Sequence, residues 1–418
     1  MNKDVILNII IEGQEEILNV ELFERNYEFE EVGKYVLVGV RQAGKSYLLY
    51  QRAKQLLKKK HSVKEFVYIN FDDERLLGMQ AADFDLILQA YSSNFKEKPI
   101  FFFDEIQNID GWEHFARRLA NQKYLVFVTG SNAKMLSRDI STTLGGRYFE
   151  EMVYPYSFRE YLGARGIKLT DNWEYGSKKN EIRLAFNEYF NWGGFPELLL
   201  YNNKRHWLNG LYEKILLGDI MLRNSVKNEN AMRLALKRLA ENIKQPVAYN
   251  RLANMIKSAN IVTSTSSIIE YVGFAKDACL IFTVNNFASQ FAERESVKKH
   301  YFVDNGLLNI FLMDANTSLL ENICAINLYK KYENNLYYYN KNIEVDFYVP
   351  DEKLGIQVSY SIDNEDTYKR EIGALEKLDN VFPMDRMLLI TYDDEKVIPL
   401  DNGKKIEVVP VWKWLLQE

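Results

Sequence analysis

The stretch from Gly39 to Ser46 constrains the fold of this 418-residue chain more than any other feature. Its sequence, GVRQAGKS, fits the pattern G-x-x-x-x-G-K-[ST] at every fixed position. The apolar run Tyr35–Val38 before it predicts a buried strand, and Ser46–Leu57 after it predicts a helix. Glycines let backbone N–H groups curl around phosphate oxygens, and a helix N-terminus adds the positive end of its dipole. The motif therefore predicts a strand–loop–helix unit that binds nucleotide phosphates.

The predicted ligands of this loop are ATP and Mg²⁺, although the motif does not separate ATP from GTP. Lys45 is expected to reach the β- and γ-phosphates, and the Ser46 hydroxyl is expected to bind Mg²⁺. The other predicted nucleotide contacts are Gly39, Arg41, Gln42, Ala43, Gly44 and Tyr47.

A second motif lies about sixty residues further along the chain. The apolar run Ile100–Phe103 ends in two adjacent acids, Asp104 and Glu105. Asp104 is expected to hold Mg²⁺ through water, and Glu105 to polarise the attacking water as a general base. A strand that ends in acids is by itself more often structural, but its place downstream of the phosphate loop favours the catalytic interpretation. The paired acids favour a hydrolase over a kinase.

A third strand, Leu125–Val128, ends in Thr129-Gly130-Ser131-Asn132. Polar side chains at this end of a strand next to the loop can contact the γ-phosphate or the water. Ser131 and Asn132 are nearly equal candidates, and the alternative is an ordinary turn. Strands that alternate with helical stretches over the first 165 residues predict a mostly parallel α/β sheet.

Composition excludes several other classes of protein. The 47% apolar and 27% charged residues are typical of a folded globular chain, and the net charge of −5 gives no overall basic field. The 2 cysteines fit a reducing cytoplasm. We expect no signal peptide and no membrane span, because the apolar run from Val5 to Ile11 lacks a cleavage site and no long uncharged apolar run follows.

Further segments extend these motifs into a resemblance that covers nearly the whole chain. They are Phe103–Asn108, Leu144–Tyr148, Pro155–Tyr161 and Trp192–Glu197. Together with the phosphate loop they closely resemble a bacterial and archaeal family of AAA-type P-loop ATPases. The resemblance implies an AAA-type ATP-binding core at 1–165, a helical lid at 166–228, a winged-helix-like module at 229–298 and an α/β domain similar to PD-(D/E)xK nucleases at 299–418.

The resemblance also implies an arginine finger, for which Arg147 is the first candidate and Arg138 the second. A planar, permanently charged guanidinium suits the charge that develops on a transferring phosphoryl group. A finger supplied by a second copy would make the chain a homo-oligomer. The alternative is that either arginine forms a surface ion pair.

The winged-helix-like module is expected to contain a helix at Arg251–Ser258, a recognition helix at Ser264–Phe274 and a wing strand at Leu280–Val284. A recognition helix that binds DNA needs Arg or Lys to contact phosphates and guanines. No Arg or Lys lies between Ile261 and Ala275. DNA contact and a purely intramolecular or protein-binding role therefore stay equally open. Any DNA binding should be weak and should rest on Lys237, Arg238, Lys257 and Lys276.

In the nuclease-like region, Asp346 and Glu321 match acids of the parent superfamily, but Gln357 and Ser359 stand where it has an acid and a lysine. Residues 301–418 also carry 12 Lys/Arg against 21 Asp/Glu, a net charge of −9. We therefore expect a degenerate scaffold. The leading hypothesis is an ATP-dependent switch that acts on a protein partner; a DNA-transacting ATPase is the alternative, and an ATP-regulated nuclease a weaker one.

Overall fold

The computed structural model describes residues 2–288 and 297–417. The chain divides into two compact units. Unit 1 comprises Met1–Pro155 with Asp277–Cys279, and unit 2 comprises Tyr156–Lys276 with Leu280–Glu418. Within the described ranges, we find no helix whose length and hydropathy would allow it to span a bilayer.

Unit 1 contains a five-stranded parallel sheet flanked by helices. Its strands are β1 Tyr35–Val38, β2 Phe66–Asn70, β3 Ile100–Asp104, β4 Leu125–Gly130 and β5 Phe149–Met152. Its helices are α1 Lys3–Asn19, α2 Lys45–Lys58, α3 Phe84–Ser92, α4 Trp112–Asn121 and α5 Arg138–Leu144. Short 3-10 helices span Val63–Glu65, Glu74–Leu76, Ala81–Asp83, Ile106–Asn108 and Ala133–Leu136. The predicted α/β P-loop fold is confirmed.

The strand order of this sheet, β2-β3-β4-β1-β5, places the three predicted motifs side by side. Strand β3 is buried along its whole length, because a parallel sheet covered on both faces needs apolar residues at successive positions. Val38 pairs with Gly130, and Phe103 pairs with Val128. The carboxyl ends of β1, β3 and β4 therefore lie at one edge of the sheet.

Unit 2 begins with helices. They are α6 Phe158–Ala164, α7 Gly176–Trp192, α8 Lys204–Lys214, α9 Glu229–Glu241, α10 Tyr249–Lys257, α11 Thr265–Asp277, α12 Asn305–Asn309, α13 Asn316–Tyr332, α14 Glu365–Val381 and α15 Val411–Gln417. A π-helix, Ile215–Leu222, continues α8, and 3-10 helices span Pro196–Leu200 and Glu333–Asn335.

Unit 2 also contains a nine-stranded mixed sheet. Its strands are β6 Val247–Ala248, β7 Ile281–Asn286, β8 Val297–Phe302, β9 Tyr337–Asn340, β10 Glu344–Val349, β11 Leu354–Ser359, β12 Arg386–Thr391, β13 Lys396–Pro399 and β14 Lys405–Pro410. They follow the order β13-β14-β12-β11-β10-β9-β7-β8-β6. Because β7 pairs in parallel with β9, one sheet runs through the strands of the two predicted C-terminal modules. The predicted boundary between residues 298 and 299 falls inside β8.

Asp304 joins two glycine-containing turns within unit 2. Its carboxylate accepts hydrogen bonds from the backbone N–H groups of Gly194 and Gly306, each at 2.7 Å. A side chain at Gly193 would collide with this carboxylate, because its Cβ would lie 1.9 Å from Oδ1. Burial raises the pKa of Asp304 to about 6, although the N–H donors oppose that rise. The Gly193-Gly194 turn thus makes room for a buried polar contact.

Candidate functional site

The phosphate-loop backbone is held close to the neighbouring strands. The Gly39 N–H donates to the Gly130 carbonyl at 3.2 Å. A Cβ at Gly39 would lie 2.0 Å from the Val153 carbonyl oxygen, so only glycine fits there. Gly44 has φ of +93°, which glycine adopts without strain, and it precedes the first residue of α2. The loop therefore turns directly into a helix N-terminus, as predicted.

The Lys45 side chain folds back along the loop. Its Nζ donates to the carbonyl oxygens of Gly39 at 3.1 Å and Val40 at 3.2 Å. It also lies 3.5 Å from Glu105 Oε1. The lysine is 4% exposed. Two of its three close acceptors are neutral carbonyls, and only one is an acid.

Asp104 ends β3 as a buried acid between two hydroxyls. Its Oδ1 accepts from the Thr129 hydroxyl, and its Oδ2 accepts from the Tyr68 hydroxyl at 3.1 Å. Burial raises the pKa of Asp104, Glu105 adds to the rise, and hydrogen bonds from Ser46 and Thr129 oppose it. The contact between Ser46 and Asp104 brings together the hydroxyl and the carboxylate predicted to hold Mg²⁺.

These two residues fit a magnesium ion by their chemistry. Mg²⁺ in nucleotide sites is bound by hard oxygen ligands, usually one or two from the protein with phosphates and water completing the shell. Among the described residues, no group of three or more His, Cys, Asp or Glu side chains is arranged to hold a metal ion. Ser46 and Asp104 would supply the protein ligands here.

Glu105 is held in place from several sides. It adopts a left-handed backbone conformation with φ of +51°, and its N–H donates to Thr129 Oγ1 at 3.0 Å. Its Oε2 accepts from Gln107 Nε2 at 2.5 Å. Burial opposes its ionisation, but Lys45 and the Gln107 amide together lower the pKa of Glu105. The acid is therefore ionised and able to accept a proton.

The two sensor candidates lie in different surroundings. Ser131 is buried, and its Oγ lies 3.4 Å from Gln107 Nε2, beside Glu105. Asn132 Oδ1 accepts from the Lys134 N–H at 2.9 Å, which caps the following 3-10 helix. Sequence reasoning left these residues nearly equal, and the geometry brings Ser131, rather than Asn132, next to the acid.

A chain of hydroxyl contacts leads away from Asp104. Beyond Tyr68, the Tyr50 hydroxyl lies 2.8 Å from the Tyr68 hydroxyl and 2.7 Å from Glu16 Oε1 on α1. Burial raises the pKa of both tyrosines, so both hydroxyls stay protonated. Sequence reasoning missed Tyr68 and Gln107 and did not single out Thr129. Thr129 and Gln107 lie at or just after the end of a buried strand, whereas Tyr68 lies in the middle of β2.

The remaining predicted contacts lie along the loop or away from it. Ala43 is buried, Gln42 has φ of +63°, and the positive charge of Arg41 helps to lower the pKa of Glu105. Tyr47 is half exposed on α2.

The two finger candidates follow α4 and β4 in the chain. Arg147 is exposed, and its Nη1 donates to the Gly145 carbonyl at 3.0 Å. The Arg138 side chain lies outside the part of the chain that the structure describes. The finger role of either residue stays a prediction.

Unit 2 brings the predicted acids Glu321 and Asp346 together around a lysine that sequence reasoning missed. Lys299 Nζ lies 3.0 Å from Glu321 Oε1, 3.3 Å from Asp346 Oδ1 and 3.7 Å from Glu344 Oε1. The lysine comes from β8, and Ser359 instead donates to the Ser361 carbonyl at 3.0 Å. A cation is thus present in this cluster, but it comes from a different strand.

Gln357 has a structural role beside the cluster. Its Oε1 accepts from the Asp346 N–H at 2.7 Å, and its Nε2 donates to Glu371 Oε2 at 2.7 Å. A carboxylate at position 357 could not donate to Glu371. The neutral amide is therefore the group that satisfies both neighbours.

Comparison with known proteins adds family relationships to this geometry. A family model described as an AAA domain matches residues 33–162, and one described as a domain of unknown function (DUF8612) matches residues 183–318. The uncharacterized protein MJ1544 of Methanocaldococcus jannaschii is 33% identical over 98% of this chain and 94% of its own. An uncharacterized protein of Haemophilus influenzae is 31% identical over 91% of this chain and 94% of its own.

Two solved structures align at lower similarity. The Aeropyrum pernix ORC1 protein in complex with DNA covers 74% of this chain and 92% of its own, at 11% identity and a TM-score of 0.32. AMPPCP-bound DnaA from Aquifex aeolicus covers 63% of this chain and 85% of its own, at 13% identity and a TM-score of 0.25. Both TM-scores are too low to carry an argument about this chain.

Proposed function

Because this chain belongs to the family of AAA-domain proteins that includes MJ1544 and its Haemophilus influenzae relative, we propose that it binds and slowly hydrolyses ATP as a molecular switch. The observation that carries the proposal is the meeting of Lys45, Asp104 and Glu105 at one edge of the unit 1 sheet. The switch relays its nucleotide state to C-terminal interaction modules.

Each residue has a separate task in this proposal. The loop N–H groups and Lys45 bind the phosphates, and Ser46 and Asp104 hold Mg²⁺. The metal supplies charge neutralisation at the β- and γ-phosphates when it is bound. Glu105 accepts the proton of the attacking water: its lowered pKa keeps it ionised, although it is then a weaker base than an ordinary glutamate. Ser131 is favoured over Asn132 as the sensor because it lies beside Gln107 and Glu105.

We assign the finger role to Arg147, supplied by a second copy of the chain. This assignment is supported by its exposure, since a finger must reach a neighbouring site. The four-part division into core, lid, winged-helix-like module and nuclease-like domain is part of the same proposal. The last domain serves as a docking scaffold for a protein partner, because Lys299 is fully buried and Gln357 is bound to its neighbours.

The Glu105→Gln variant tests this function. It should bind ATP with Mg²⁺ as the wild type does, because Asp104 and Lys45 are unchanged, and its turnover should fall by about 10²- to 10⁴-fold. Phosphate release and binding of a fluorescent ATP analogue measure the two properties. Glu113→Gln, a neighbouring acid on α4, is the matched control and should retain full turnover. Loss of ATP binding in Glu105→Gln would overturn the assigned roles.

The same variant trapped with ATP offers a way to find the partner. A protein that co-purifies with Glu105→Gln in ATP, and not with Lys45→Ala, would identify what the switch acts on. Recovery of the same protein with both variants would mean that nucleotide state does not control the interaction.

A DNA-transacting ATPase is the second candidate, and one observation favours it. The elements α9, β6, α10, α11, β7 and β8 follow the helix–strand–helix–helix–hairpin order of a winged helix, with β8 paired to both β6 and β7. Opposing it, α11 exposes Ile269 at 50% rather than a base-reading cation, and Arg238 pairs with Glu241 at 2.7 Å.

DNA binding by this module should be weak and indifferent to sequence. Phosphate contacts from Lys237, Lys257 and Lys276 would dominate, so the affinity should fall steeply with salt. Fluorescence anisotropy with two unrelated duplexes at several salt concentrations measures both properties. Tight, sequence-selective binding at physiological salt would favour the second candidate over the first.

A further inference from the structure

The most unusual cluster outside the nucleotide site is the one around Lys299. Its ammonium has no solvent exposure and lies within 3.7 Å of three carboxylates. Those carboxylates belong to Glu321 on α13 and to Glu344 and Asp346 on β10, while the lysine belongs to β8. One cation thus joins three elements that are far apart in the chain.

The distances match an ammonium rather than a metal ion. The three N···O separations run from 3.0 to 3.7 Å, whereas Mg²⁺ binds oxygen at about 2.0–2.1 Å and Ca²⁺ at about 2.3–2.6 Å. The ammonium donates to Glu321 and Asp346, and Glu344 lies just beyond hydrogen-bond distance as a third ion-pair partner. The Tyr301 hydroxyl donates to the same Glu321 oxygen at 2.7 Å, which further satisfies that acid.

The ammonium lowers the net negative charge of the three carboxylates from inside the cluster. Gln357 contributes a neutral amide where a carboxylate would add a charge. The demand for a doubly charged ion is therefore lower than in a cluster of acids alone.

We propose that the Lys299 ammonium takes the place of a divalent cation in this carboxylate cluster. The wild-type cluster then binds no Mg²⁺ or Mn²⁺. Around the ammonium, these acids are not arranged to hold a metal ion, as for every such group in the described ranges. Removal of the lysine lets Glu321, Glu344 and Asp346 close on an ion as its ligands. A cavity of about 540 Å³, lined by these three acids with Gln357 and Glu371, gives an ion a route to them.

Replacement of the lysine by a neutral side chain of similar length, Lys299→Met, tests the proposal in the full chain. The variant should melt about 10 °C below the wild type, because loss of one partner leaves buried charges uncompensated. Millimolar Mn²⁺ should restore most of that loss. Lys298→Met, on the opposite face of β8, is the matched control and should show neither change.

Addition of Asp346→Asn to Lys299→Met should abolish the recovery, which separates this site from metal bound at Asp104. Electron paramagnetic resonance of Mn²⁺ should also detect one more bound ion per chain in Lys299→Met than in the wild type. If Lys299→Met does not fold, the pair Lys299→Met and Glu321→Gln removes one ligand together with the lysine and should still gain Mn²⁺, more weakly, through Glu344 and Asp346. No gain of Mn²⁺ in a folded variant, or Asp346-dependent Mn²⁺ binding by the wild type, would overturn the proposal.

Discussion

Two of the buried lysines, Lys45 in unit 1 and Lys299 in unit 2, differ in how much of their charge is neutralised by neighbouring acids. Lys45 meets two neutral carbonyl oxygens and one acid at 3.5 Å. Lys299 meets three acids and has no exposure. The first charge is available to a ligand, and the second is neutralised within the protein. Burial alone therefore does not reveal the role of a lysine. The charges of the groups that surround its ammonium must also be known.

This difference separates effects on ligand binding from effects on stability. A change at Lys45 should weaken nucleotide binding and leave the fold intact, since it removes two hydrogen bonds to neutral carbonyls and strands no cluster of acids. A change at Lys299 should weaken the fold, because a buried acid without its partner is costly. The predictions below examine how far the unit 1 site depends on residues around its lysine.

The largest expected effect is that of Arg147→Ala. Turnover should fall by about 10³-fold, because a finger stabilises charge that develops only in the transition state. ATP affinity should stay unchanged, and specific activity of the wild type should rise with protein concentration. Arg117→Ala, on α4, is the control. If Arg147→Ala keeps wild-type turnover, and if the specific activity of the wild type does not change with protein concentration, the whole site lies within one chain.

A smaller effect is expected for Thr129→Val, which keeps the shape and removes the hydroxyl. Thr129 donates to Asp104 and accepts from the Glu105 N–H, so its loss disturbs both acids at once. Turnover or Mg²⁺ affinity should fall about 10- to 100-fold, as for other groups that orient metal ligands. Steady-state hydrolysis over a range of Mg²⁺ concentrations measures both. Unchanged kinetics would mean that the two acids are positioned by the strand alone.

The smallest effect should come from Tyr68→Phe. This change removes one neutral donor to Asp104 at 3.1 Å, a contribution of about 1 kcal/mol, or about fivefold in Mg²⁺ affinity. The control is Tyr91→Phe, which removes a hydroxyl that donates to the Lys64 carbonyl. An effect of Tyr68→Phe as large as that of Thr129→Val would give the tyrosine chain a larger role than its single contact explains.

Sequence predicted the unit 1 fold closely because its signals are local. Tyr35–Val38 is a strand as predicted, and Ile100–Phe103 is extended only by Asp104. Strand β5 was missed, since two of the four residues in Phe149–Met152 are glutamates and none is buried. The α/β prediction does not depend on β5, because β5 is an edge strand and the other four strands already define the sheet.

The parts of the sites that sequence could not predict depend on contacts between distant residues. Tyr68 and Asp104 are 36 positions apart, and Lys299 is 22 positions from Glu321 and 47 from Asp346. No spacing rule connects such pairs, because they meet only when the strands take their places in a sheet. The serine at position 359 gave no sign that β8 would bring Lys299 to Glu321 and Asp346.

Calorimetric titration of ATP with Mg²⁺ into the full chain tests the central claim, that the charge of Lys45 serves a nucleotide. Wild type and Lys58→Ala, an exposed lysine at the other end of α2, should bind with equal affinity. Lys45→Ala should melt at the wild-type temperature and lose more than about 100-fold in affinity, since hydrogen bonds to charged groups contribute about 1.5–3 kcal/mol each. Undiminished ATP binding by a folded Lys45→Ala variant would contradict the account.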